Sequence, residues 1–336
     1  MRGSTGHRLE RVLLLAMVAS IGGPAVAQGP PGSPPGGGSP ALTSLDFLLR
    51  QGVCRGCDFG PMDLSGVRLV AKELPGAVLN GANLSGADLR SAILSASELE
   101  AANLGASNLT STVLDNANLR QADLRQAVLA GTNLRTSDLR GASLQGATLN
   151  GTFFDLARLD GADLSDAAGE ATRLQSSSLT SAVLRRTALV NASGNAADFS
   201  QADLTDAALR GGFPGAAGGL CRFNSARFDG ALLVRTDLSD CSFFSAWFEN
   251  ADLSAARAVR AVFLNAFFRG AKLTGMDLSE ATLAGAYLEN ANLTGITCDG
   301  ALCQGAQPPG MSGAFFLNTI CPDGVTVGNS PADCGF

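Results

Sequence analysis

The sequence predicts an all-β chain, a solenoid of very short strands stacked into one column. Three observations predict it. From Leu79 onward a leucine returns every fifth residue, through Leu84, Leu89, Leu94, Leu99, Leu104 and Leu109. Two places before each stands a small residue: Ala77, Ala82, Ala87, Ala92, Ser97, Ala102 and Ser107. Between the two lies mostly Asp or Asn, as at Asn83, Asp88, Asn103 and Asn108. A period of five fits neither the helical repeat nor the alternation of a single strand. Each unit nevertheless holds an alternating trio of small, polar and large residues, whose outer two share one face. That trio is a short strand, and the two residues left over turn a corner. One such strand cannot bury its apolar face alone, whereas stacked copies can.

These residues resemble the pentapeptide-repeat family, whose signature is Ala-(Asp/Asn)-Leu-X-X. The resemblance implies a right-handed quadrilateral β-helix with four pentapeptides, hence twenty residues, in each coil. It also implies that the large residue and the small one two before it point inward. It supplies no single activity. On that geometry residues twenty apart lie one above the other. Two blocks of repeats then make about twelve coils and, at ~4.8 Å per coil, a rod of roughly 55–60 Å.

In chain order, residues 1–27 read as a secretory signal. Arg2, Arg8 and Arg11 give a positive start, Val12 to Ile21 an apolar run, and Ala25-Val26-Ala27 a cleavage site. The apolar run is about half of the ~20 residues a spanning helix needs, so no stable membrane insertion is expected. The reading implies a secreted or periplasmic protein. Residues 28–40 are a Pro/Gly linker. Within residues 41–53, Leu42, Leu45, Leu48 and Leu49 fall at helical spacing, with Thr43 or Ser44 as N-cap. A helix there would cover the open lower end of the stack. Block 1 of the repeats spans 54–209, with Gly169 and Gly194 where large apolar residues are expected. Those coils are expected to be the least stable. Residues 210–222 break the register, predicting a surface loop or a bend. Block 2 spans 223–303, and 304–336 form a tail in which Phe315, Phe316 and Leu317 are expected to cap the upper end.

Block 2 favours phenylalanine inside. Spaced by twenty, Phe223, Phe243 and Phe263 predict one interior stack, and Phe228, Phe248 and Phe268 a second. Its outward positions supply the candidate binding surface. One outward column reads Arg227, Trp247, Phe267, Tyr287, with Phe244 and Leu264 beside it. This gathers the single Trp and single Tyr of the chain into one apolar strip, and contiguous exposed apolar patches mark interfaces. A protein partner, a second copy, or a glycan ring laid on the aromatic faces would each suit it. The competing expectation is that the tail or the 212–219 loop lies over the strip. Outward charges also alternate at twenty-residue spacing, as Glu100, Arg120, Arg140 and Asp160, and as Asp115, Arg135 and Asp155, which reads as register-setting ladders.

Eight cysteines follow the leader, and an oxidising compartment favours their pairing. Cys54 and Cys57 form a lone C-x-x-C without the βαβ context of a redox motif. Cys221 and Cys241 share one inward slot a coil apart, either bonded or as two stacked thiols. Cys298 and Cys303 lie on adjacent faces at the upper end, and Cys321 with Cys334 closes a tail loop. Cysteine pairs at opposite ends of a rod cannot share a zinc ion.

Composition excludes more than it assigns. The chain has 336 residues, 46% hydrophobic and 16% charged, with a net charge of −6. The leader holds three Arg and one Glu, so the mature chain is about −8. No basic stripe suits nucleic acid. The only histidine, His7, falls in the leader, leaving no imidazole for a triad or general base. Phosphate-loop and nucleophile-elbow motifs are absent. Asp and Asn alternate with Leu and Ala, which suits hydrogen bonding at corners rather than calcium. The sequence therefore predicts a non-enzymatic chain with no cofactor and no metal: a secreted structural or binding module. The family resemblance adds an alternative, a DNA-mimicking gyrase inhibitor, which the leader, the weak charge and the arginines on the acidic columns all oppose. Mass mapping of the non-reduced mature protein is expected to join Cys321 to Cys334; two free thiols there would overturn the compartment reading.

Overall fold

The computed structural model describes residues 40–212, 221–297, 317, 319–322 and 326–327. The predicted signal, most of the linker, Cys298, Cys303, Phe315, Phe316 and Cys334 lie outside the described residues. All the described residues belong to the unit that begins at Gly36.

The repeat unit is as short as the sequence predicts. In Ala82-Asn83-Leu84 the small and large residues are buried and the middle one faces outward. Leu84 N donates to Asn103 O in the coil above (2.6 Å) and Asn83 N to Met62 O in the coil below (2.9 Å). The corner is closed by Ala87 N donating to Leu84 O (3.0 Å), with Gly86 at φ +64. A positive φ at the third turn position is what a type II turn requires, and glycine adopts it without strain. The middle Asn or Asp also binds its corner: Asn103 Oδ1 accepts from Gly105 N (3.0 Å) and Asp63 Oδ1 from Ser65 N (3.1 Å). This is the Asx geometry that makes these residues turn formers, and it accounts for their abundance without calcium.

Repeated four times, the unit makes a square coil, and the coils form a right-handed quadrilateral β-helix. Parallel bridges join residues twenty apart on every side. The second side runs Asp58, Val78, Glu98, Asn118, Asp138, Arg158, Ser178, Asp198, Arg227, Trp247, Phe267 and Tyr287, twelve rungs among the described residues. Leu84, Leu104 and Leu124 stand in one buried column beside the bridges Asn83–Asn103 and Asn103–Asp123. Most buried hydroxyls at the small position are satisfied by the main chain, with Ser107 Oγ an exception. Thr112, Thr132 and Thr152 donate to carbonyls of the coil below, Leu89, Leu109 and Leu129, at 2.6–2.7 Å.

On the fourth side three coils extend into regular strands, β1 (Ala168–Glu170), β2 (Ala188–Val190) and β3 (Ala208–Arg210), paired in parallel in that order. Gly169 and Gly194, where the sequence lacks a large apolar residue, are not holes in the core. A Cβ on Gly169 would meet the main chain and Cβ of Leu149 at 2.8 Å. One on Gly194 would meet the Phe223 ring at 2.8 Å. At Gly194 the Phe223 ring occupies the volume, and at Gly169 the Thr172 hydroxyl and the Leu149 main chain close it.

At the register break the ladder is not interrupted. Ser193 pairs with Arg222, Asp198 with Arg227, Asp203 with Leu232 and Ala208 with Asp237. Each pair is separated by 29 residues instead of 20, so the chain carries nine more residues here than a coil needs; 213–220 lie outside the described residues. Two devices hold the rejoined coil. Arg235 Nε donates to Asp206 Oδ1 across the break (2.6 Å). Cys221 is disulfide-bonded to Cys241 in the next coil, Cα–Cα 4.7 Å, which decides the choice between a bond and two thiols. Above it the interior phenylalanines form both expected stacks. Phe223, Phe243 and Phe263 are spaced 5.8 and 5.2 Å, and Phe228, Phe248 and Phe268 at 4.9 Å. The two stacks meet edge to face, as at Phe243 and Phe248 (5.7 Å).

Both ends are finished. Helix α1 (Pro40–Gln51) buries Leu48 completely, while Leu49 is exposed. It starts at Pro40, so Thr43 and Ser44 lie inside its first turn rather than at the N-cap; proline suits a first helical position. Gly52 at φ +83 ends it, and Lys72 Nζ donates to Leu49 O (2.9 Å). Cys54 and Cys57 are disulfide-bonded in the first coil, Cα–Cα 5.7 Å. At the other end strand β4 (Thr319–Ile320) adds a rung to the third side, Ile320 against Asn292, and pairs antiparallel with β5 (Thr326–Val327). Leu317 does reach the upper end, as expected, but through its main chain rather than its side chain. It is exposed, and only its carbonyl is used, accepting from Asn290 N (2.7 Å). The buried cap residues are Thr319 and Cys321, and Cys321 is disulfide-bonded to a cysteine outside the described residues.

Gly194→Ala is expected to lower stability by about 1–3 kcal/mol, the usual cost of overpacking a filled core, in a denaturant titration. Unchanged stability would mean the Phe223 ring has room to move.

Candidate functional site

The second side changes chemistry as it rises. Below the register break its outward residues are mostly polar or charged; above it they are Trp247, Phe267 and Tyr287. The parallel ladder sets these rings one rung apart, so they stack along the axis. Trp247 and Phe267 lie 4.3 Å apart with planes at 20°, and Phe267 and Tyr287 4.8 Å apart at 7°. Trp247 is 37% exposed, whereas Phe267 and Tyr287 are half-buried. One corner away stands Phe244, 44% exposed, with half-buried Leu264 above it. The ladder thus unites Trp247, Phe267 and Tyr287 and places Phe244 and Leu264 on the adjoining corner column. Arg227, at the foot of the strip, turns aside: its Nη2 and Nε donate to Asp229 Oδ2 at 2.8 and 3.0 Å. That bond, first, holds its guanidinium pKa above the ordinary value.

Stacking turns the ring faces toward one another, so the strip offers ring edges to solvent. A sugar ring laid flat on an aromatic platform needs open faces, which this arrangement withholds. The opposite border of the strip is charged, formed by Asp229, Glu249, Arg269 and Glu289 one corner on. Arg269 Nε donates to Glu289 Oε2 (3.1 Å), and Glu249 closes no ion pair among the described residues.

The rest of the surface is largely neutralised in place. Arg135 bonds Asp155 across twenty residues (3.0 Å), and Arg173 reaches the same carboxylate (3.1 Å). Both guanidiniums stand over the Phe153 ring, at 4.5 and 5.4 Å. The other predicted ladder is different. Arg140 pairs with Asp138 in its own turn rather than with Asp160, because the neighbour two residues away is within easier reach. The cluster at Phe153 and the corner ladder of Asp166 with Arg186 (2.6 Å) were missed by sequence reasoning; twenty-residue spacing of opposite charges would have found the second.

The groove nearest the break is shallow and open, lined by Asn150, Ala168, Gly169, Glu170, Ala188, Val190, Asn191 and Gly212. Glu170 is its only carboxylate, so no pair of acids converges there. Among the described residues no cluster of three His, Cys, Asp or Glu side chains could hold a metal ion. No helix among them is long and apolar enough to cross a membrane.

Square parallel coils around a leucine and phenylalanine interior define a β-helical repeat protein. The family model described as Pentapeptide repeats matches eight copies, over residues 63–95, 102–141, 137–168, 172–211, 221–257 and 259–295. The chain belongs to the pentapeptide-repeat family. Solved structures similar to it include HetL, a pentapeptide repeat protein involved in heterocyst differentiation regulation from the cyanobacterium Nostoc sp. Strain PCC 7120. It is 26% identical over 84% of this chain and 98% of that one, with a TM-score of 0.38. A pentapeptide repeat protein from the Arabidopsis thaliana thylakoid lumen is 31% identical over 28% of this chain and 65% of that one, TM-score 0.27. QnrB1, a plasmid-mediated fluoroquinolone resistance protein, is 21% identical over 46% and 75%, TM-score 0.34. No curated protein sequence matches the chain.

The ion pairs carry a pH dependence. Asp123 and Asp138 have pKa values lowered from 3.8, chiefly by hydrogen bonds from Arg125 and Arg140. A depressed folded pKa adds stability above the unfolded value, and that stability is lost as pH falls through the folded value. Thermal midpoints are therefore expected to be flat from neutrality to about pH 4 and to fall below it; a midpoint that rises on acidification would contradict the pairs.

Proposed function

We propose that this chain is a non-catalytic module, secreted or periplasmic, whose rigid coil presents the Trp247–Phe267–Tyr287 strip to a protein partner. The observation that carries the reading is the stack of Trp247, Phe267 and Tyr287 with exposed Phe244 on the adjoining column, aromatic side chains set together where Leu156 and Leu232, the other exposed apolar residues of the coils, stand singly. Exposed apolar patches of this kind are interfaces, and tryptophan is the residue type most enriched where binding energy concentrates. The filled interior supports the absence of catalysis: Leu, Phe and Ala occupy it without a cleft for a substrate. The leader-like residues 1–27 and the disulfides Cys54–Cys57 and Cys221–Cys241 support an oxidising compartment. Pairs such as Arg125–Asp123 and Arg186–Asp166 neutralise carboxylates that a duplex mimic would display, which sets the gyrase alternative second.

Trp247→Ala should leave the circular dichroism spectrum and thermal midpoint close to those of the parent, since the side chain lies outside the core. It should abolish capture of the partner in cross-linking of intact cells read by mass spectrometry. Unchanged capture would remove the strip from consideration.

A further inference from the structure

We infer that the strip recognises a cationic amphipathic helix of another protein, with apolar anchors on the stacked rings and lysine or arginine along the Glu249 border. This rests on the reading of the strip as a protein-binding surface and names its partner's chemistry.

Three observations point to it. The first is charge. Of the border residues, Asp229 is paired with Arg227 and Glu289 with Arg269, which leaves Glu249 without an ion pair among the described residues. Asp198, one rung below Arg227, adds a further carboxylate. The opposite corner column, Asn224, Phe244, Leu264 and Ala284, carries no charge. The surface is therefore polarised across its width, apolar on one border and acidic on the other, and electrostatic complementarity selects partners by such patterns.

The second is symmetry. An antiparallel pairing of two copies about a two-fold across the strip keeps the acidic border against itself, and centred on Phe267 it sets Glu249 against Glu289. A parallel pairing sets that border against Phe244 and Leu264, burying carboxylates on apolar groups. In these two arrangements Glu249 meets a carboxylate or an apolar group, a cost that a cation placed beside it does not incur. The third is spacing. The rings repeat every 4.3–4.8 Å. A helix laid along the axis offers an apolar row every ~5.4 Å, whereas same-side residues of an extended strand recur only every ~6.7 Å. A strand has no other way to bind here, since the main-chain groups of this side are already paired, Phe248 N with Phe267 O and Trp247 N with Ala226 O. The anchors are then the i, i+3 or i+4, and i+7 residues of a helix.

Trp247 is the only tryptophan, so its emission reports the strip directly. The full mature chain is titrated with a synthetic helical peptide bearing leucine at i, i+3, i+4 and i+7 and lysine elsewhere, and with its counterpart in which glutamate replaces every lysine. The lysine peptide is expected to move Trp247 emission to shorter wavelength saturably, and the glutamate peptide to leave it unchanged. Glu249→Lys should weaken the lysine peptide roughly five-fold, the scale of an exposed charge pair. Glu100→Lys, on the same corner column seven coils lower and about three Debye lengths away, should leave affinity unchanged. Equal binding of the two peptides, no shift with either, or equal effects of Glu249→Lys and Glu100→Lys would overturn the inference. A concentration-dependent shift of the protein alone, with a dimer mass in light scattering, would assign the strip to a second copy. That outcome overturns the cationic partner and leaves the strip as an interface, whereas loss of the strip altogether is read by Trp247→Ala.

Discussion

Every feature of this molecule depends on one hydrogen-bond pattern, in which each coil lies in parallel on the coil beneath with a twenty-residue offset. The main chain on each side donates upward from the large residue and downward from the polar one, as at Leu84 N to Asn103 O and Asn83 N to Met62 O. This satisfies backbone groups that could not be left unpaired beside a buried core. It also fixes side chains in columns, so that any residue is repeated in space by the one twenty places on. The interior phenylalanine stacks, the Asp166–Arg186 ladder and the aromatic strip are three readouts of the same translation.

The pattern also explains the tolerance of the fold to interruption. Nine extra residues between Arg210 and Cys221 change the offset from 20 to 29 and nothing else, because an insertion at a corner can leave the stack and return to it. All four sides resume in the same order. The side entered from the insertion is tied by the Cys221–Cys241 disulfide, and further round the same coil Arg235 bonds Asp206 at the corner between the third and fourth sides. Stability in a solenoid is a sum of neighbouring contacts, so reinforcement is needed where a contact would otherwise begin afresh.

The proposed function rests on what the columns present outward. A core of Leu, Phe and Ala closed by main-chain bonds has no cleft, and charges two or twenty residues apart neutralise one another at the surface. The upper second side departs from this, since Trp247 and Phe244 replace the polar residues that occupy most equivalent positions below. The rings are held in place by stacking, so in the proposed interface little conformational freedom would remain to be lost on binding.

The periodicity of Leu79 to Leu109 by itself determined the short strands, the inward columns and the aromatic strip, because a translation of twenty residues converts sequence spacing into spatial adjacency without further information. It also placed Phe243 above Phe223 and Arg135 beside Asp155. What it did not reach were contacts that depend on volume and orientation. Gly194 read as a defect until the Phe223 ring was found against it, and Arg140 turned to Asp138 because two residues of reach outweigh a neighbouring coil. The direction of the Trp247 and Phe267 rings, edges outward and faces paired, was likewise settled only by three-dimensional packing, since spacing sets where a side chain starts and its neighbours set where it ends.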